Sequence, residues 1–169
     1  MLLVMKISLE LSKVLGLLDI ASRFVSKNST LPILQNIYLK ASIDSLLIRA
    51  TDMEKYIEVE LPCAVQIEGS ITVNAKMFLD ILKTIGSETV EFSVNQQTSI
   101  MTIKTTKDTF DINGISASEY VALPEVPQEN SFMLDTTIFS KGTEKVEYAI
   151  TEKSFSPILT GMLMKSKTE

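Results

Sequence analysis

The chain contains no histidine, and this absence removes much of the common catalytic chemistry. Histidine is the usual general base near neutral pH and the residue that activates serine or cysteine nucleophiles, so such pairs are excluded. A single cysteine, Cys63, excludes a disulfide framework and a cysteine-cluster metal site, and it fits a reducing compartment. Because Cys63 has no basic neighbour in the sequence to lower its pKa, we interpret it as a packing residue.

Long apolar runs and phosphate-binding glycine loops are also missing. The apolar start from Met1 to Met5 meets Lys6 and is too short for a signal peptide or a membrane span, so we expect a soluble cytoplasmic protein. A net charge of -5 argues against a generally basic nucleic-acid coat. With 45% hydrophobic residues, the chain of 169 residues can bury a core.

The chain begins to repeat itself at an offset of 125 residues. The segment from Ser29 to Lys40 aligns without a gap on the segment from Ser154 to Lys165, and both contain Pro-Ile-Leu. Further apolar positions that coincide in this register are Ile7 with Phe132, Leu9 with Leu134, Val14 with Phe139, and Ala21 with Val146. The pattern predicts a first domain at 1–125, a proline-containing linker at 126–130 and an incomplete second domain at 131–169.

Most of the first domain alternates between apolar and polar residues, as in Ile57, Val59 and Leu61, which predicts antiparallel strands with one buried face. Hairpins are expected to join 34–41 with 46–51 and 89–94 with 99–104. Two amphipathic helices interrupt the strands. The first is predicted from Ser12, as N-cap, to about Val25. The second is predicted from Ala75 to Ile85, between an Asn74 cap and a left-handed Gly86.

The outer faces of both helices carry cations although the protein is acidic. Lys13, Arg23 and Lys27 fall within an arc of about 80° around the first helix. Lys76, Asp80 and Lys83 share one face of the second. An ordinary solvated surface and a nucleic-acid contact both fit this pattern.

Asp52 and Glu54 lie two residues apart between two strands. A carboxylate pair of this kind could hold Mg²⁺ and serve a metal-dependent hydrolase, whereas a solvated turn has the same residue types. No histidine and no third ligand lie nearby in the sequence, which favours the turn. We therefore expect no metal and no cofactor.

In order and spacing, the chain resembles the bacterial sliding clamps, the beta subunits of DNA polymerase III. The segments that carry this resemblance span essentially the whole chain. They are Thr30 to Leu34 with Asn36, Ala50 to Glu54, Gly69, Val73 to Lys76, Phe78 to Ile81, Phe110 to Gly114, Glu119-Tyr120, Leu123-Pro124 and Ser156 to Gly161.

The resemblance implies an α+β DNA-clamp fold, in which antiparallel sheets lie outside and two helices per domain line the inner, DNA-facing side. Such clamps are head-to-tail dimers of three-domain chains that close into a ring. The implied function is that of a non-catalytic processivity factor in the bacterial cytoplasm, at the nucleoid, which encircles duplex DNA and tethers the replicative polymerase. The implied partners are double-stranded DNA, a second copy of the chain, the polymerase and the clamp loader.

The resemblance also implies roles for individual residues. Asn28 stands where the family usually has a DNA-contacting arginine, and Lys153 matches a position near DNA at the ring face. The residues expected to face DNA are Lys13, Arg23, Lys27, Asn28, Lys76, Lys83 and Lys153. The residues expected at the subunit interface are Ile81, Ile85, Lys107 and Phe110, of which the three apolar ones also fit the core pattern of their own domain.

The third domain and most of the second are absent from this sequence, and with them the family's peptide-binding groove. We expect 131–169 to be poorly stable or associated with another chain. The shortage of glycine suggests that a stop codon read as glycine was translated conventionally after Glu169; a deliberate boundary or a frameshift are alternatives. An alternative function would also fit a chain that ends at Glu169, namely that of a stand-alone clamp-domain module that caps or opens a ring.

Overall fold

The computed structural model describes residues 3–26, 29–95, 97–124, 133–151 and 153–165. The chain divides into two compact units, Met1–Leu123 and Pro124–Glu169. Several of the residues and segments singled out in the sequence lie outside the described residues. These are Lys27, Asn28, the expected linker at 126–130 and Phe132.

The first unit is a single antiparallel sheet with two helices among its described residues, so the α+β prediction is confirmed. The strands are β1 (Leu3–Glu10), β2 (Asn36–Ser42), β3 (Ser45–Thr51), β4 (Tyr56–Pro62), β5 (Ala64–Ile67), β6 (Gly69–Asn74), β7 (Thr89–Asn95), β8 (Ile100–Lys104) and β9 (Thr109–Ile115). The helices are α1 (Leu11–Ala21) and α2 (Ala75–Thr84), and 3-10 turns occupy Pro32–Gln35 and Ala117–Glu119. The strand order is β4, β3, β2, β6, β9, β8, β7, β1, β5.

Both predicted hairpins are confirmed, since β2 pairs with β3 and β7 pairs with β8. The sheet has a narrow junction between its two halves, where β6 pairs with β9 through Thr72 with Ile115 and Val73 with Gly114. A Cβ atom at Gly114 would lie 2.6 Å from Ile71 Cδ1 and 2.7 Å from the Thr72 carbonyl oxygen. This close approach requires glycine, because no larger residue fits without a shift of the neighbouring strand.

The core lies between the sheet and the inner sides of the two helices. Val14 and Leu18 of α1 and Phe78 and Leu82 of α2 are fully buried, as their helical spacing predicts. Phe78 meets Phe92 of β7 edge to face, with ring centroids 5.4 Å apart. The two helices also contact each other. This packing leaves their outer sides free for charged residues.

The first helix begins earlier and ends earlier than the sequence predicted. Glu10, not Ser12, occupies the N-cap position and makes no side-chain cap hydrogen bond. The Leu11 amide donates to the Glu88 carbonyl at 2.9 Å, so a distant segment satisfies one of the free amides at the helix start. At the other end, the helix stops at Ala21 and the chain turns, so the prediction of a helix up to Val25 is wrong.

The second helix follows its prediction closely at the start but not at the end. The Asn74 side chain accepts a hydrogen bond of 3.0 Å from the Met77 amide, which confirms the predicted N-cap. The prediction of a left-handed Gly86 is wrong, because Gly86 has no positive φ. Ile85 is already extended (φ -78°, ψ 124°) and only 8% exposed. Burial of this side chain therefore draws the chain straight from the helix into an extended segment.

The second unit contains the helix α3 (Thr136–Glu147) and a 3-10 turn at Pro157–Thr160. These elements lie 125 residues after α1 and after the turn at Pro32–Gln35, as the internal repeat predicts. In the repeat, Met162 to Met164 align with Ile37 to Leu39 of β2, which would make them a strand, but the structure has no strand there. A strand needs a hydrogen-bonded neighbour, and the described part of this unit offers none. No residue of that part is buried.

Candidate nucleic-acid interface

The outer sides of α1 and α2 carry the cations that the sequence singled out. Lys13, Lys76 and Lys83 are exposed on the two helices, and Arg23 is exposed in the turn that follows α1. Because the buried stripes of both helices face the same core, their charged sides lie on one surface of the first unit. We call this surface, formed by Lys13, Arg23, Lys76 and Lys83, the helix face.

Asp19 of α1 joins two of these cations. Its Oδ2 lies 2.9 Å from Arg23 Nη2, and its Oδ1 lies 3.4 Å from Lys83 Nζ on the neighbouring helix. Hydrogen bonds from the Arg23 guanidinium and then from the Lys83 ammonium hold the pKa of Asp19 below its usual range. One carboxylate therefore links the outer sides of both helices.

Lys13 is paired at the start of the same helix. Its Nζ lies 2.8 Å from Glu10 Oε2, and the Ser12 hydroxyl donates to Glu10 Oε1 at 2.5 Å. The Lys13 ammonium, followed by the Ser12 hydroxyl, holds the pKa of Glu10 below its usual range. Both groups of this pair are largely exposed, so the pair contributes little to stability.

Lys76 differs from the other cations of the helix face. Among the ion pairs between described residues, none includes Lys76. It lies in the first turn of α2, at the edge of a cleft of about 540 Å³ between the end of α1 and the start of α2. Ser22, Ser26, Gln35 and Asp80 supply polar groups to the same cleft. Lys76 can therefore approach an anion without first breaking an ion pair.

Sequence reasoning missed Lys55, which reaches the same surface from the turn between β3 and β4. Its Nζ lies 3.3 Å from the Arg23 carbonyl oxygen and 5.9 Å from the centroid of the Phe24 ring. It also lies 3.0 Å from Asp52 Oδ2. No local pattern could have revealed this contact, because the turn and the end of α1 are far apart in the sequence.

The interpretation of Asp52 and Glu54 as a turn is supported by their hydrogen bonds. Asp52 Oδ1 accepts from the amides of Glu54 at 3.1 Å and Lys55 at 2.8 Å. These bonds, the one from the Lys55 amide foremost, hold the pKa of Asp52 below its usual range. In the described part of the chain, no group of three acidic or cysteine side chains could hold a metal. The Asp52 carboxylate thus already accepts hydrogen bonds from backbone amides of its own turn.

The residues expected at a subunit interface differ in exposure. Ile85 belongs to the core with 8% of its surface exposed, and Ile81 and Phe110 are half-buried against that core. Lys107 is exposed in the turn between β8 and β9. Ile81, Phe110 and Lys107 can still offer surface to a partner, whereas Ile85 acts mainly inside its own domain.

Lys153 and Cys63 differ in burial. Lys153 lies in the second unit, where its side chain is exposed and its carbonyl oxygen accepts a hydrogen bond of 2.9 Å from the Thr151 hydroxyl.

Cys63 packs partly buried against the core of the first unit. Burial, followed by the charge of Asp44, raises the pKa of the Cys63 thiol, which makes the thiol less reactive. The packing role predicted for Cys63 agrees with this position.

Residues 5–124 match the family model described as DNA polymerase III beta subunit, N-terminal domain. The beta sliding clamp of Bacillus subtilis is 27% identical over 169 residues, covering 95% of this chain and 44% of that protein. The beta sliding clamp of Halalkalibacterium halodurans is 29% identical, covering 83% of this chain and 39% of that protein. The chain thus spans less than half the length of these relatives.

Solved structures agree with this match. The crystal structure of the sliding clamp from Bacillus subtilis superposes with a TM-score of 0.83 at 27% identity, over 93% of this chain and 43% of that chain. The Helicobacter pylori beta clamp bound to a DNA ligase peptide superposes with a TM-score of 0.81 over 90% of this chain and 42% of that chain. At 22% identity, the second likeness shows the fold alone. In the described residues, no helix is long and apolar enough to cross a membrane.

Proposed function

We propose, because this chain belongs to the family of DNA polymerase III beta subunits, that it is a sliding-clamp protein whose first unit helps to surround duplex DNA and to tether the replicative polymerase. The observation that carries this proposal is the helix face. There, two adjacent helices present cations from an acidic protein on one surface. The sheet, with acidic residues such as Glu58 and Glu60 on β4, would then face outward.

The charge arrangement suits contact with the phosphate backbone and not with base edges. Lysine and arginine side chains on exposed helix surfaces attract phosphates without regard to sequence, and each such contact is weak and sensitive to salt. Most cations of the helix face are also shared with a carboxylate of the protein, which weakens the contact further. Retention on DNA would come from ring closure, which permits sliding while every contact stays weak.

The assembly follows from the family as a further part of this proposal. Residues 1–125 would form the first clamp domain and 131–169 the start of a second, joined by the linker at 126–130. The first domain would pack against the last domain of another copy through Ile81, Phe110 and Lys107, with Ile85 supporting them from the core. Members of this family act without catalysis. A polymerase and a clamp loader are the partners that this role requires, in the bacterial cytoplasm.

Topological retention is the property that tests this function. Protein purified from its native host would be loaded onto a nicked circular plasmid by a clamp loader with ATP, and the mixture would be separated by gel filtration. We expect the protein to elute with the circle and to be lost when the same plasmid is cut once before filtration. Equal retention on circular and linear DNA, or no retention on either, would show that the protein does not encircle DNA.

A further inference from the structure

Asp19 lies between two cations of the helix face, one four residues along the chain and one on the neighbouring helix. Its carboxylate contacts the guanidinium of Arg23, in the turn that follows its own helix, and the ammonium of Lys83 on the neighbouring helix. The side chain is 42% exposed, so it does not need these partners to compensate for burial. The contacts therefore position the cations more than they stabilise the fold.

The same nitrogen atoms are those that a DNA phosphate would need. A carboxylate oxygen and a phosphate oxygen are both anionic acceptors for guanidinium and ammonium groups, at similar distances. We propose that Asp19 is a positioning residue that holds Arg23 and Lys83 together and competes with DNA phosphates for them, which keeps the grip of the helix face on the duplex weak. This inference rests on the proposed contact between the helix face and DNA.

Competition of this kind has a use in a protein that must move along DNA. If Arg23 and Lys83 were free, each would bind a phosphate whenever one came within reach. With Asp19 between them, a cation that releases a phosphate can bind the Asp19 carboxylate instead, so the release costs little free energy. Both states satisfy the cation, and the difference in free energy between them is small.

Asp80 supplies a matched comparison on the second helix. It is exposed on the same face of α2 as Lys83, and no ion pair between described residues includes it. Asp80→Asn and Asp19→Asn change the net charge by the same amount and keep the shape of the side chain. A general electrostatic effect would act on both variants alike, whereas competition for Arg23 and Lys83 is specific to Asp19.

The experiment measures binding of the full chain to a short fluorescent duplex by anisotropy at low salt. We expect Asp19→Asn to raise the affinity about threefold to tenfold, since two ion pairs no longer have to be given up, and Asp80→Asn to raise it less than about twofold. In an Arg23→Ala/Lys83→Ala background, the effect of Asp19→Asn should disappear. Circular dichroism melts of each variant would establish that the fold is intact.

Equal gains for the two aspartate variants would overturn the inference, as would a loss of affinity in Asp19→Asn. A second measurement separates this failure from a failure of the proposed function. Retention on a heparin column tests competition for a polyanion that is not DNA. If no variant binds the duplex but Asp19→Asn elutes at higher salt than Asp80→Asn, Asp19 still competes with anions for Arg23 and Lys83, and only the DNA-binding function falls. If heparin does not separate the two variants either, the role of Asp19 falls.

Discussion

The side chain of Asn36 donates a hydrogen bond of 3.1 Å from Nδ2 to the hydroxyl oxygen of Thr72, and both residues are buried. The Thr72 hydroxyl in turn donates to the carbonyl oxygen of Ile115 at 3.1 Å. This polar chain therefore connects β2, β6 and β9 at the narrow junction where the two halves of the sheet meet.

Thr72→Val should destabilise the first unit by about 1–3 kcal/mol, because the buried Asn36 amide would lose its acceptor while the shape of residue 72 is kept. Thr102→Val is the matched control, since Thr102 of β8 is only partly buried and its hydroxyl donates to the exposed Asp111 carboxylate. Urea unfolding followed by circular dichroism would measure both. If Thr72→Val lost no more stability than Thr102→Val, the buried hydrogen bond between Asn36 and Thr72 would not be important for stability.

Gly114→Ala should also destabilise the first unit, by about 1–3 kcal/mol, since the added methyl group would overlap Ile71 and the Thr72 carbonyl. Gly16→Ala in α1 should have the opposite sign, with a gain of up to about 1 kcal/mol, because no atom lies within 4 Å of an added Cβ there. Thermal melts of the two variants test this contrast. Similar shifts in Tm for both would argue against a close approach at Gly114.

The stability of the protein should depend on pH through Asp52. The pKa of this group is lowered in the folded state, so its contribution is present above about pH 4 and is lost as the pH falls through the folded pKa. Asp52→Asn should therefore lower the free energy of unfolding more at pH 6 than at pH 2.5. Glu54→Gln controls for the loss of one negative charge in the same turn. If Asp52→Asn lowered the free energy of unfolding equally at both pH values, the predicted pH dependence would be contradicted.

Lys76→Ala should weaken binding to duplex DNA, and the salt dependence of the binding constant should fall by about 0.9 in log-log slope if Lys76 contacts one phosphate. Lys104→Ala removes the same charge from β8 of the sheet and should leave the slope unchanged. Anisotropy titrations at several salt concentrations would compare the two variants. The same reduction in slope for both would mean that the helix face has no special part in binding.

Much of the fold could be predicted because its signals are local. The alternation of Ile57, Val59 and Leu61 identifies β4, and the spacing from Phe78 to Leu82 with Asn74 before it identifies α2. These patterns repeat over several residues, so that each residue supports the same interpretation.

The start of α1 and the contact of Asp19 with Lys83 could not be predicted because distant segments determine them. Ser12 is a good N-cap by its chemistry, but the helix already begins one residue before it, at Leu11, whose amide donates to the Glu88 carbonyl. Asp19 meets Lys83, and Lys55 meets the end of α1, only after the chain has folded. A local pattern carries no information about such partners, so the composition of the helix face was predictable and its pairing was not.

The junction between β6 and β9 has a mechanical consequence. Two residue pairs join these strands, whereas seven join β3 to β4. We therefore expect the angle between the two halves of the sheet to change more easily than the shape of either half, with the bending concentrated at Thr72 and Gly114.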